Sequence, residues 1–450
     1  MTYRRNFLSV FLFVLLAGGG AVLSAPAQLR HEATSRYPAY AGLVMCGYQG
    51  WFRAPEDGAH EGWGHYAANG RFDAGHLHTD YWPDVTEYEK TYPTALTNRD
   101  GTPARVFSSW DQSTTDRHFQ WMQEYGIDGV FVQRFFAPLR TAAGRHQSRV
   151  VLEHALIASR TYDRSIAVMY DLSGLQARGE DCSAIIQDWK ELVDELHLTS
   201  QGARQTYLYD QGRPVVAIWG VGFVDRPYDS HAIGLEKLID FLKHDPIYGG
   251  CAVMLGVPTH FRTLDGDCLP DPWVQQVIGS ADLIMPWLVG RFTPLDPHFQ
   301  EHYTAQITAD LAWCAARRLE YVPCVYPGFS WHNLSQVEFP GADHPLGQIP
   351  RQQGRFYWDQ ITTATGAGAK MLYVAMFDEM DEGTAIFKCT SQLPVGGQFL
   401  DFEGLPSDHY LWLTGQAGKL LRGEIPQSKG PPGRGGDGLS PQMSPAKSHP

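Results

Sequence analysis

From residue 126 onward, short β-branched runs alternate with longer segments of helical period, and turn residues mark each junction. The strand-like runs cover residues 129–133, 165–170, 214–219, 251–257, 283–287, 321–326 and 371–377, and residues 43–45 supply an eighth at the start. Helical periodicity falls near 115–125, 150–160, 183–196, 233–242, 272–278, 303–318, 355–364 and 408–421. Eight strands, each followed by a helix, close into a barrel that hides every strand edge and buries the strands on both faces. An open doubly wound sheet uses the same units, but its phosphate-binding glycine signature is missing from this sequence. The expected fold class is therefore α/β, a (β/α)8 TIM barrel. The stretch 51–105 far exceeds an ordinary βα connection of about two to six residues, so an elaborated loop is expected after strand 1, over the barrel mouth.

The two ends of the chain differ from the middle. Arg4 and Arg5 precede an apolar run over 7–15, three glycines at 18–20 and the small residues Ala25-Pro26-Ala27, which is the order of a signal peptide over 1–27. Export to the periplasm or medium follows, with no stable membrane insertion once the signal is removed, since the apolar run falls short of the roughly 20 residues of a span. Residues 28–424 form the expected barrel domain, and 425–450, rich in proline, glycine and serine, form an expected disordered tail. The 36 basic and 49 acidic side chains give a net charge of −13, which argues against nucleic acid as a partner. Seven scattered cysteines with no CxxC pair make neither a disulfide scaffold nor a cysteine zinc site.

In such a barrel the residues just after each strand build the active site. Tyr48, Gln49 and Trp51 follow the first strand, Gln133 and Arg134 end the second, and Tyr170 and Asp171 end the third. Trp219 ends the fourth, Trp287 the sixth, and the seventh runs into Tyr326, Trp331 and His332. Aromatic faces beside amide, guanidinium and carboxylate groups suit a sugar, whose rings offer apolar C–H faces and hydroxyls together. The bland alternative is that tryptophans at strand ends cap the core.

The eighth strand runs into Phe377-Asp378-Glu379-Met380-Asp381-Glu382-Gly383-Thr384, four carboxylates in five positions. Like charges so crowded oppose one another's ionisation, and a protonated acid beside a carboxylate is what glycosidic cleavage uses. A calcium site and a solvated acidic turn are the other readings. His76, His78 and Asp80 offer a weaker metal-ligand pattern, and Asp265-Gly266-Asp267 reads as a turn.

Residues 378–384 resemble the Asn-Glu-Trp-His-Glu-Gly-Thr signature of glycoside hydrolase family 99, the endo-α-mannosidases and endo-α-mannanases. The segment 322–329, with Pro327-Gly328-Phe329, is similar to the Pro-Gly-aromatic segment that precedes that signature. Cys46-Gly47-Tyr48-Gln49-Gly50-Trp51-Phe52, Trp82-Pro83-Asp84 and Tyr125-Gly126-Ile127-Asp128-Gly129 resemble the bacterial family 71/99-like proteins, and Asp84 joins the candidate substrate contacts. The resemblance implies that Glu379 polarises a sugar 2-hydroxyl and that Glu382 is general acid, then base. The chain departs from the signature at Asp378, Met380 and Asp381. The reading that follows is a retaining endo-acting hydrolase of an α-linked, mannan-like polysaccharide or glycan, with carbohydrate as partner and neither organic cofactor nor metal expected. A carbohydrate-binding barrel without catalysis and an exo-acting xylosidase or arabinosidase are the alternatives.

Overall fold

The computed structural model describes residues 29–176, 179–341 and 344–434. The expected signal peptide, 1–27, lies outside them.

Eight parallel strands form the barrel: β1 (Val44–Tyr48), β2 (Gly129–Phe135), β3 (Ser165–Asp171), β4 (Arg213–Trp219), β5 (Ala252–Val257), β6 (Leu283–Pro286), β7 (Glu320–Tyr321 and Cys324–Val325) and β8 (Leu372–Val374). They pair in sequence order, and β1 pairs with both β2 and β8. The ring closes through β7, whose first part pairs with β6 and whose second part pairs with β8. Pro323 divides it, because proline has no N–H for the ladder. Val322 N–H still donates to Ile284 O at 2.8 Å, and Tyr373 N–H to Pro323 O at 3.0 Å, so no edge opens there. The strands were legible because parallel strands covered on both faces are nearly continuous apolar runs. The first runs further than residues 43–45, through Tyr48, and the eighth is shorter than 371–377.

Eight helices surround the ring: α1 (Gln112–Tyr125), α2 (Ala142–Tyr162), α3 (Ser183–Glu195), α4 (Leu235–His244), α5 (Pro272–Ile278), α6 (Phe299–Arg317), α7 (Arg355–Gly366) and α8 (His409–Leu421). Thr141 caps α2 by accepting from Gly144 N–H, and Asp271 caps α5 ahead of Pro272. No described helix is long and apolar enough to cross a membrane. All seven cysteines are buried and free.

The long segment after β1 is a folded layer. It carries a hairpin of Tyr92–Thr97 with Pro103–Val106 and its own aromatic cluster of Phe52, Tyr66, Phe72, Trp82 and Phe107. The chain after β8 meets it edge to edge, with bridges Tyr81↔Leu400, Pro83↔Cys389 and Thr97↔Val395. At the other end, the disordered tail expected from residue 425 is corrected over 425–434. Trp358 Nε1 donates to Ser428 Oγ at 3.0 Å, and Arg434 pairs with Asp408 at 2.8 Å while lying over Trp412. The rest of that tail lies outside the described residues.

Candidate active site

The acidic loop after β8 is tied down on several sides. Phe377 N–H donates to Gly47 O, Ala385 N–H to Glu379 O, and Ser330 N–H to Glu382 O. Arg351, buried against Tyr81, Phe402 and Tyr410, gives its guanidinium to the carbonyls of Gly383 and Ala385 at 2.8 Å each. Gly383 is required where it stands: its φ is +65°, and a Cβ would come within 2.8 Å of the Ser330 backbone. Asp378 accepts the N–H groups of Gln49 and Gly50, one on each oxygen, both at 2.8 Å, which fixes the β1 loop against the β8 loop. Burial nevertheless pushes Asp378 up to about 7.

Glu379 is 4% exposed, and both of its oxygens are held. Gln49 Nε2 donates to Oε1 at 2.7 Å and Thr384 Oγ1 to Oε2 at 2.6 Å. Burial raises Glu379 well above the usual carboxylate range, as do the charges of Glu382 and Asp381, and the two hydrogen bonds oppose that rise. Glu382 takes no side-chain hydrogen bond among the described residues, and it is pushed up to about 7 by burial, then by Asp381 and Asp171. Asp171, at the end of β3, is pushed up to about 6 by burial.

These groups face a cavity of about 180 Å³. Its walls come from β1 and its loop (Gln49, Trp51), β2 (Gln133, Phe135), β3 and its loop (Asp171, Ser173), β4 (Trp219), the end of β6 (Trp287) and β8 with its loop (Met376, Glu379, Glu382). Gln49, Trp51, Gln133, Phe135 and Ser173 also line an adjoining groove of about 450 Å³ that runs out past His65, Arg53 and the start of α2. Four buried polar atoms on the cavity walls have no partner among the described residues: the indole N–H groups of Trp51 and Trp219 and the amide oxygens of Gln49 and Gln133. Buried polar atoms are ordinarily satisfied, so two donors and two acceptors left open around one cavity mark a place for a ligand with hydroxyls.

Of the residues singled out in the sequence, the structure brings Gln49, Trp51, Gln133, Asp171, Trp219, Trp287, Glu379 and Glu382 to this cavity. Others are corrected as direct contacts. Arg134 and Tyr170 point into the helix layer, where Arg134 pairs with Asp188 of α3 and the Tyr170 hydroxyl donates to the same carboxylate at 2.8 Å. Tyr48 faces outward to His118 of α1 at 2.9 Å, and the Tyr326 hydroxyl donates to Phe292 O at 2.6 Å. The cause is strand geometry: successive side chains alternate faces, so of Gln133 and Arg134, or Tyr170 and Asp171, only one can face inward. Trp331 donates to Gln348 and His332 lies against His344 O, both off the cavity. Asp84 lines a separate surface cavity beside the hairpin. His76, His78 and Asp80 take separate partners, Asp73, Glu338 and Ser330. Asp267 pairs with His260 and Arg291.

Trp51 has both faces covered. His65 lies flat on one, with centroids 3.8 Å and planes 4° apart, and Phe135 backs the other at 5.2 Å. The indole face is taken, so a ligand in the cavity is left the N–H edge of Trp51 or the rings beside it. Phe135, Ser173 and Met376 went unnoticed in the sequence, although alternation from Gln133 points to Phe135. His65 stood in the sequence only as a histidine upstream of the His76 and His78 pattern, and its partner Asp381, 316 residues away, had no local signal.

No family model matches the chain. A solved GH99 endo-alpha-mannosidase from Bacteroides thetaiotaomicron superposes with a TM-score of 0.58 at 16% identity, covering 85% of this chain and 98% of that one. The barrel is built like a GH99 endo-α-mannosidase. A complex of a GH99 endo-alpha-mannosidase with bis-tris propane gives the same TM-score at 15% identity, again over 85% and 98%. In sequence, a 103-residue stretch, 23% of the chain, is 28% identical to a glycoprotein endo-alpha-1,2-mannosidase-like protein of Danio rerio. The match spans 22% of that relative's length.

Proposed function

We propose that the chain is an exported glycoside hydrolase, a retaining endo-acting enzyme on an α-linked, mannan-like polysaccharide or glycan. The observation that carries this reading is the Glu379 and Glu382 pair at the C-terminal end of β8, in a cavity whose indole and amide groups stand unpartnered. Burial and the neighbouring carboxylates raise Glu379, and donors on both of its oxygens oppose that rise and orient it, with Glu379 assigned to draw the proton from a sugar 2-hydroxyl. That hydroxyl oxygen attacks the anomeric carbon as Glu382 protonates the departing glycosidic oxygen. Glu382 then takes a proton from the water that opens the resulting ring, and Glu379 returns its proton to the 2-oxygen. Two inversions give retention, one of the substrate-assisted exceptions to the two-carboxylate scheme. An acid poised near neutrality suits the role of Glu382. The groove beyond the cavity supports endo action, since an exo-acting enzyme closes its pocket around one terminal sugar. Export is supported by the basic, apolar and small-residue order of residues 1–27.

A panel of α-mannan, α-glucan and arabinoxylan tests this. Release of reducing ends as internal fragments from α-mannan is the expected result. Retardation in an affinity gel without any reducing ends would make the barrel a binding protein instead, and release of single pentoses would make it an exo-acting enzyme.

A further inference from the structure

Two carboxylates of the β8 loop have no part in the reaction above, and of these Asp378 is held on both oxygens by the β1 loop. Asp381 is 2% exposed, and its Oδ1 has no partner among the described residues. Its Oδ2 lies 3.1 Å from His65 Nδ1. His65 comes from the long loop after β1, with its ring flat on Trp51 and its backbone at φ +58°, in the left-handed region that non-glycine residues seldom adopt. A local conformation this unfavourable persists where the surroundings hold it. Here stacking and the carboxylate contact place an imidazole beside the one acid between the two glutamates.

The titratable groups around Asp381 are Asp378, Glu379 and Glu382 on its own loop and His65, Tyr66 and His78 from the long loop. Asp171 faces Glu382 from β3, and His78 is turned toward Glu338. The Arg53 and Glu61 ion pair sits next to His65 along the loop, and Arg351 meets the β8 loop only through backbone carbonyls. We propose that Asp381, held by His65, is a positioning residue whose fixed negative charge keeps one proton on the Glu379 and Glu382 pair, leaving Glu382 able to protonate the departing oxygen. This rests on the hydrolase reading for its purpose, though not for its electrostatics. After burial, the charge of Asp381 is the next cause raising Glu382, and it raises Glu379 as well.

The test is a carboxyl-carbon NMR titration of the full chain with labelled glutamate, the pair assigned by difference from Glu382→Gln, alongside the pH profile of kcat/KM. Asp381→Asn keeps the shape and can still accept from His65, but it carries no charge. The midpoint of the pair should fall by about one pH unit, as expected when a neighbouring like charge is removed. The alkaline limb of kcat/KM should move to lower pH by the same amount. His65→Leu, which removes the polar contact that holds the Asp381 carboxylate in place, should move both in the same direction by less, and His65→Gln, which keeps a polar partner there, should restore them. A wild-type midpoint in folded Asp381→Asn would overturn the proposal, as would a lower kcat with an unmoved pH profile. A shifted NMR midpoint in a protein that hydrolyses nothing would uphold the charge relation and remove the hydrolase reading.

Discussion

Two clusters of buried charge lie within the same barrel and are built on opposite rules. On the outer face of β2 and β3, Arg134 and Asp188 match charge for charge, with Arg134 Nε donating at 2.8 Å and the Tyr170 hydroxyl completing the carboxylate's shell. At the mouth, Asp378, Glu379, Asp381 and Glu382 crowd like charges together, and the indole and amide groups around them lack partners. The first arrangement offsets most of the loss of hydration within the protein, Arg134 Nη1 alone of its groups lacking a partner among the described residues, whereas the second leaves it for a ligand to offset. Buried polarity that is matched holds the fold. Buried polarity left open marks where chemistry happens.

Substitutions at the two clusters should therefore fail in different ways. Glu379→Gln should lower kcat by about a hundred- to ten-thousand-fold, the usual range for a positioned acid or base, with an unchanged or higher melting temperature. Arg134→Met should do the reverse, costing about 3–5 kcal/mol of stability in urea unfolding because Asp188 is left buried and unpaired. The kinetics of its folded fraction should stay normal. A catalytic defect in a stable Arg134→Met would erase the distinction.

Trp51 sharpens the comparison because it lines the cavity yet is packed like a core residue between His65 and Phe135. Trp51→Ala should cost about 3 kcal/mol in unfolding, at the low end for such truncations, as well as weakening carbohydrate binding. Weaker binding at an unchanged melting temperature would mean the sandwich contributes little.

The like-charge cluster should also show in the pH dependence of stability. Glu382 moves from an ordinary 4.5 to about 7, and Asp171 from 3.8 to about 6. Both are raised acids, so the folded state holds protons that the unfolded chain releases, and their contribution is lost as pH rises through the folded values. The melting temperature of Glu382→Gln should match wild type near pH 4.5 and exceed it increasingly up to about pH 7. A difference that stays constant across that window would contradict the shift.

The smallest effect belongs to the surface. Truncation after Glu424 removes the Ser428 contact and the Arg434 ion pair with Asp408, both outside either cluster. It should cost about 1 kcal/mol by thermal unfolding, as for partly exposed pairs, and leave activity alone.

The barrel was legible because its signal is local. Helix α5 begins at Pro272 and ends at Ile278 as the pattern indicates, since an Asp cap and an N1 proline mark its start. The glutamates were legible because the crowding of 378–382 is itself anomalous. What sequence order obscured was direction. Arg134 and Tyr170 sit one residue from true cavity residues, and alternation would have removed them once the inward partner was known. The place of His65 against Asp381 arises only when the β1 and β8 loops meet, which no window along the chain contains.

Whether Glu382 is the acid of a hydrolytic pair is decided by comparing Glu382→Gln with wild type on α-mannan and on an activated aryl α-mannoside. Loss of turnover on the polysaccharide should be steep, while the first step on the aryl substrate, whose leaving group needs no proton, should be largely kept and KM little changed. Wild-type turnover of both substrates by Glu382→Gln would show that Glu382 is not that acid.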